Sequence, residues 1–277
     1  MKQTLFLSAL AALLILASCE RRNSDLTFSR IVAESTITDS MALKLAALSG
    51  NTEELIDPVE YKNYDIEFPA TAINEDVLNR LRLAVINSLF SDCDTAAIDI
   101  EAEMKHIQST MKVTKSDSCP VDPLAVPEDI NATSFKTVSV RTITNTKSLY
   151  TFCLASDEYS FGAIHGFYSL SYHSYNSTTG ELLTFDSLFT SGADTVFLNY
   201  MRTQIPVDFK ASYGQEFIFQ DEPLVSNATF YFTPDGIHFS FPPYRIGSYA
   251  DGQIDCLIPA DKVKPLLKPQ WQKLFDK

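Results

Sequence analysis

From Gly166 to Asn176 the residues alternate so regularly that one backbone conformation accounts for them. Tyr168, Leu170 and Tyr172 fall on one side and Ser169, Ser171 and His173 on the other, which is the period of a β-strand. The surrounding stretch, Glu158 to Phe189, holds eight aromatic residues, Tyr159, Phe161, Phe167, Tyr168, Tyr172, Tyr175, Phe185 and Phe189, together with His165 and His173. Asn176 to Gly180 supplies turn chemistry, and Glu181 to Phe185 is expected to return as a second strand, making a β-hairpin. Asp186 or Ser187 is expected to cap a short helical turn after it. Most of the rings belong to the core face of this hairpin. Phe167 and Tyr175, on its other face, are placed to anchor a partner.

The remainder of the chain reads as strands and helices packed together. Phe28–Thr38 is rich in β-branched residues, and Glu60–Phe68 places Tyr64, Ile66 and Phe68 on one strand face, with Pro69 closing it. Asn74 then caps a helix whose stripe is Val77, Leu78, Leu81, Val85 and Leu89, with Glu75 and Asp76 in the first turn. Asp94 is expected to cap a second helix carrying Ile100, Met104, Ile107 and Met111, and Lys115–Asn131, with three prolines, is read as a loop. Strands follow over 134–144 and 147–155, leading into the hairpin. After it, Asp194 is expected to cap a helix ended by Pro206. Ala228–Thr233 and Ile237–Phe241 form strands around the Pro234-Asp235-Gly236 turn, and Gln253–Ile258 turns Ile254, Cys256 and Ile258 inward. Ala260–Lys268 is a short helix interrupted by Pro265. The class is α+β: antiparallel β-sheets with packed helices, in two consecutive α+β subdomains.

The first residues read as an address. Lys2 precedes an apolar run, Leu5–Ala17, that is short for a membrane span and ends in Leu16-Ala17-Ser18-Cys19. This resembles a bacterial lipobox, which implies cleavage before Cys19, lipidation of that cysteine and attachment to a membrane of the cell envelope through the N-terminal lipid. The formal net charge is −13, and loss of residues 1–18 removes one positive charge, Lys2, leaving −14. Such acidity disfavours a nucleic-acid partner and suits a basic one. Of the remaining cysteines, Cys93 and Cys119 flank one expected helix and are the preferred disulfide pair, whereas Cys153 and Cys256 sit within apolar strands as buried thiols. No Cys-x-x-Cys or histidine spacing suggests a metal site, and no cofactor motif is present.

A family resemblance rests on ordered short motifs. GAIHG, the aromatic strand, TTGELLTFDSLF, a helix, FYFTPDGIHFSFPPYRIGSYADG and IDCLIPADKVKPLL together resemble the C-terminal half of the extracytoplasmic domain of lysozyme-sensing anti-sigma factors of the RsiV type. NYDIEFPA and the helix after Asn74 resemble the preceding half, found as the non-catalytic N-terminal part of peptidoglycan deacetylases of the PdaC type. The implied organisation is a signal peptide over 1–18, a tether over 19–27, an N-terminal domain over 28–157 and a C-terminal domain over 158–277. The resemblance implies a non-catalytic binding or sensing module for a protein or cell-wall ligand, with lysozyme or peptidoglycan as the partners it suggests.

No Gly-x-Ser-x-Gly, His-Glu-x-x-His or phosphate-cradling loop occurs. His165 is the best single residue on which an envelope hydrolase of peptidoglycan or glycan would be centred, with Asp235 or Asp251 as its acid partner. The other reading is that His165 uses both ring nitrogens to fasten a bend between Gly162 and Gly166. His165, Gly166, Phe167, Tyr175, Tyr249 and Asp251 are thus the candidate binding residues, and no catalytic set is assigned. Tyr249, Asp251 and Gly252 have a simpler reading as a tight loop that satisfies its own backbone.

Overall fold

The structure, a computed structural model, describes residues 25–38, 59–89, 133–160 and 163–275. Cys19, Cys93, Cys119, Phe161, Gly162 and the helix expected after Asp94 lie outside these residues. The described chain is α+β, built on two sheets. The larger has five strands in sequence order: β1 (Thr27–Thr38), β2 (Val59–Thr71), β3 (Thr133–Asn145), β4 (Tyr150–Tyr159) and β5 (Phe167–Tyr175). The smaller has three, β6 (Thr229–Thr233), β7 (Gly236–Phe241) and β8 (Ile254–Pro259).

Among the described residues four helices of the α type accompany the sheets: α1 (Glu75–Leu89), α2 (Phe185–Leu188), α3 (Ala193–Tyr213) and α4 (Ala260–Val263). Asn74 caps α1 as expected, its Oδ1 accepting from Val77 N–H at 2.9 Å. The helix buries Val77, Leu81, Val85 and Ile86 against Tyr64, Ile66 and Phe68 of β2, Val138 and Val140 of β3, and Tyr150 and Phe152 of β4. Arg82 fastens it to the end of β2, its Nε donating to Pro69 O at 2.9 Å. Pro69 therefore does not close the strand: β2 continues to Thr71 beside a register shift in β1, the kind of irregular position where a missing N–H is tolerated.

Three expectations are corrected here. β2 and β3 pair in parallel, not antiparallel, because the chain passes through α1 and residues 90–132 before returning alongside β2. The boundary expected at 157/158 falls inside β4, and β5 belongs to the same sheet as β1–β4, so the two sheets divide the described chain after Tyr175. The second arm of the hairpin is reduced to one bridge, Tyr175 with Leu182. The chain leaves it for α2, which is capped by Thr184, not Asp186 or Ser187: its side chain accepts from Ser187 N–H.

The smaller sheet packs on α3. Phe197, Met201, Ile205 and Phe209 recur at steps of four along the helix and meet Ile237, Phe239, Phe241, Ile254, Cys256 and Ile258 in one core. Asp194 lies in the first turn of α3, but its N-cap is Gly192, in a left-handed conformation. Nor does the helix end at Pro206; it continues to Tyr213. An interior proline costs roughly 3 kcal/mol. Burial of Ile205 and Phe209 on either side of it offsets that, since each buried side chain of this size contributes about 1.5–3 kcal/mol. Gly236 opens β7 at φ 155°, where a Cβ would stand 2.0 Å from the carbonyl oxygen of Ile258, so no other residue lets β7 and β8 approach there. Cys153 and Cys256 are free and buried, and burial pushes each thiol up to about 12.

A buried acid ties the first three strands together. Asp65, 5% exposed, lies between Arg30 of β1 and Arg141 of β3 and pairs with both. Burial by itself raises its pKa, but the hydrogen bonds and charges of the two guanidinium groups outweigh this and hold the carboxyl below the ordinary range. A depressed carboxyl contributes stability above its unfolded pKa of about 4, and that contribution is lost as pH falls through the lower folded value. Asp65→Ala should therefore lower stability to urea by about 2 kcal/mol at neutral pH, a figure limited by the solvent exposure of both arginines. The difference from wild type should shrink as the pH is lowered through 4 towards 2.

Candidate functional site

The bend before β5 and the loop between β7 and β8 are far apart in the chain and meet in space. His165 is exposed on the bend. Its Nδ1 lies 2.8 Å from the carbonyl oxygen of Gly166, which can only accept, so Nδ1 carries the donated proton. In the neutral ring Nε2 is then the acceptor, 3.1 Å from the hydroxyl of Tyr244. The imidazole stacks on Tyr249 with 4.0 Å between ring centroids, and the Tyr249 hydroxyl donates to Gly166 O at 2.6 Å. Tyr244 and Tyr249 lie 5.5 Å apart, so the imidazole and two phenol rings form one surface cluster, with the fully exposed Ile164 beside it.

Tyr244 follows Pro242 and Pro243 and adopts φ 67°, a left-handed conformation that costs a bulky residue energy and calls for a compensating contact. The residue is 55% exposed, and its hydroxyl is held by His165. The rest of the loop is tied down locally. Asp251 Oδ2 accepts from Ser248 N–H at 2.6 Å and from the Ser248 hydroxyl at 2.7 Å, closing the turn Tyr249–Asp251. Gly252 follows at φ 72°, where a Cβ would stand 2.6 Å from the Tyr168 hydroxyl. Gln253 then reaches the free edge of β5: its side-chain amide accepts from Leu170 N–H at 3.2 Å and donates to Leu170 O at 3.1 Å, as a neighbouring strand would.

The expected residues thus separate. His165, Gly166 and Tyr249 come together. Asp251 belongs to the same loop, but its carboxylate is occupied by Ser248. Phe167, partly buried, begins β5 opposite Glu158. Tyr175 is no partner anchor: it is 9% exposed and stacks on Phe152 at 5.9 Å in the core under α1. Alternation misplaced it because β5 is covered on both sides, by α1 below Tyr175 and by the second sheet against Tyr172 and Ser174.

The acid partners expected for His165 are absent from it. Asp235 lies in the β6–β7 turn, where its main-chain carbonyl accepts from Ala260 N–H, and Asp251 caps its own turn. Among the described residues the histidine that meets a carboxylate is His238, 2.6 Å from Asp255 and stacked at 4.5 Å on Tyr231. No group of three or more metal-ligating side chains occurs among the described residues, and no described helix is long and apolar enough to cross a membrane. A separate cavity of about 950 Å³ lies between α2 and the start of α3, lined by Phe185, Phe189, Leu198, Leu224 and Lys268, and holds none of the expected site residues.

Tyr244 and Gln253 were missed from sequence. Tyr244 follows two prolines, and nothing local to it signals a positive φ. Gln253 looked like the first residue of a strand, and its role depends on an edge many residues away.

The two-sheet α+β fold carries a domain shared with other proteins: residues 186–261 match the family described as "Protein of unknown function (DUF3298)". Two solved structures of that family are similar over most of their length. The member from Bacteroides fragilis NCTC 9343 has a TM-score of 0.63 at 17% identity, covering 92% of this chain and 98% of that one. The member from Pseudomonas aeruginosa PAO1 has a TM-score of 0.50 at 13% identity, covering 88% and 95%. At these identities the likeness is one of fold. No curated protein matches the chain.

If the Gln253 amide closes the β5 edge as described, Gln253→Ala should cost about 1 kcal/mol of stability and speed hydrogen exchange at Leu170 more than at Phe152. Equal protection of Leu170 in both proteins would show that the edge is closed by other contacts.

Proposed function

We propose that this chain is a lipid-anchored protein of the bacterial cell envelope whose folded part is a non-catalytic binding or sensing module for a protein or cell-wall ligand. The observation that carries the reading is Tyr244: a bulky residue held at φ 67° with its ring exposed and its hydroxyl tied to His165. Strain retained at an exposed aromatic is better explained by a contact made to something outside the fold than by packing within it. His165 supports the same reading, since Gly166 and Tyr244 take both of its ring nitrogens.

The sharper form, with lysozyme as ligand, draws on the motif resemblance and on an acidic chain suited to a basic partner. Calorimetric titration of the chain from Glu20 onward with hen lysozyme, at low and at moderate salt, should give saturable heat that weakens as salt rises. Tyr244→Gly should weaken binding about tenfold or more without lowering the melting temperature, because glycine adopts the left-handed backbone at this position without the strain of a Cβ. Absence of heat at both salt concentrations sinks the lysozyme reading.

The anchor is tested separately. Expressed with its first 18 residues in a bacterial host, the protein should fractionate with membranes and carry acyl chains on Cys19, while Cys19→Ala should release it to the soluble fraction.

A further inference from the structure

Asp157 stands in β4 directly opposite Tyr168 of β5, so the two side chains share a face of the sheet. Tyr168 in turn accepts from Gln253 N–H at 3.1 Å and abuts Gly252, so the ring opposite Asp157 touches the loop that carries Tyr249. The carboxyl is partly buried, and burial, aided by the neighbouring charge of Glu158, raises its pKa. Its field reaches the Tyr249 hydroxyl, whose pKa is raised by burial first and then by Tyr168, Asp157 and Tyr244.

Among the described residues no lysine, arginine or histidine pairs with this carboxylate, and none donates a hydrogen bond to it; the hydroxyl of Thr137 reaches only the Asp157 main-chain oxygen. Its neighbours in the same sheet are treated differently. Asp65 holds two arginines, and Glu158, on the opposite face, pairs with Lys136 at 3.5 Å. A carboxylate drawn out of water without a partner destabilises the fold, so Asp157 contributes nothing to the structure that a neutral residue would not. Opposite it is the ring of Tyr168, whose hydroxyl meets the loop that carries Tyr249.

We propose that Asp157, with Tyr168 opposite it and the loop of Tyr249 against that ring, receives an arginine side chain of a basic protein partner. A guanidinium group suits this site better than an ammonium: it is planar and weakly hydrated, it meets a carboxylate through two parallel N–H groups, and it stacks on aromatic faces. The net charge of −13 favours encounter with a basic surface. The inference rests on reading the chain as a binding module, and it adds the group on the partner and the residue here that recognises it.

The test titrates the chain from Glu20 onward with N-acetyl-argininamide, followed by the backbone amide signals of Gly166 and Tyr249, and repeats the titration with the neutral isostere N-acetyl-citrullinamide. The arginine compound should give saturable shifts and the citrulline compound none. Asp157→Asn should weaken binding at least about tenfold while melting no lower than wild type, and Glu158→Gln should bind as wild type does. Equal binding of both compounds, unchanged binding in Asp157→Asn, or no saturable shift in wild type overturns the proposal. If Asp157→Asn does not fold, Tyr249→Leu decides, since it leaves the carboxylate in place: weaker binding supports the site and unchanged binding overturns it. Lysozyme bound equally by wild type and Asp157→Asn would overturn this inference and leave the binding-module reading standing. Arginine recognition without lysozyme binding would do the reverse to the lysozyme reading.

Discussion

The edge of β5 is where the two halves of this protein become one structure. A strand hydrogen bonded on one side presents a row of unpaired N–H and C=O groups on the other, and such an edge has to be covered, paired or abandoned to solvent. Here the side-chain amide of Gln253 supplies both a donor and an acceptor to Leu170, and the hydroxyl of Ser174 donates to Phe230 O at the start of the second sheet. Tyr172 stacks on Tyr231 at 4.1 Å across the same seam. These contacts set how the β7–β8 loop lies, and with it the position of Tyr244 and Tyr249 over the bend that carries His165. The surface cluster is therefore a consequence of the docking of one sheet on the edge of the other.

The acids of the larger sheet show how burial separates structure from function. Asp65 is drawn from water and compensated fully, by two guanidinium groups from the strands on either side. Asp157 is drawn partly from water and left without a counter-charge among the described residues. The first arrangement links β1, β2 and β3 and needs nothing from outside. The second leaves a partly desolvated charge opposite the ring of Tyr168.

Much of the fold was legible from the chain because its signals are local. Asn74 caps α1, the Tyr64, Ile66 and Phe68 face packs under it, the Pro234-Asp235-Gly236 turn joins β6 to β7, and Ile254, Cys256 and Ile258 point inward. Where a strand has one wet face, alternation identifies the other; β5 has none, so the same rule sent Tyr175 outward when it belongs in the core. Propensity alone makes Pro206 and Asp194 helix boundaries, and the burial of Phe197 through Phe209 overrides it. The parallel pairing of β2 with β3 has no local signature, because it depends on where the chain returns after more than sixty residues.

The candidate site divides in the same way. The bend at His165 and the loop at Tyr249 to Gly252 were identifiable in the chain as glycine-bearing, aromatic and irregular, and so was the capacity of that loop to satisfy itself through Asp251. Their meeting was not, since 79 positions separate His165 from Tyr244 and their contact follows from sheet docking. Whether a polar side chain finds a partner is also a tertiary fact. Asp65, Asp157 and Asp251 are alike as letters, and only their surroundings make one a sheet clamp, one a charge without a counter-ion among the described residues and one a turn cap. Short-range periodicity and turn chemistry act through neighbours in the chain and can be read there. Desolvation and charge pairing act through neighbours in space, which the fold alone supplies.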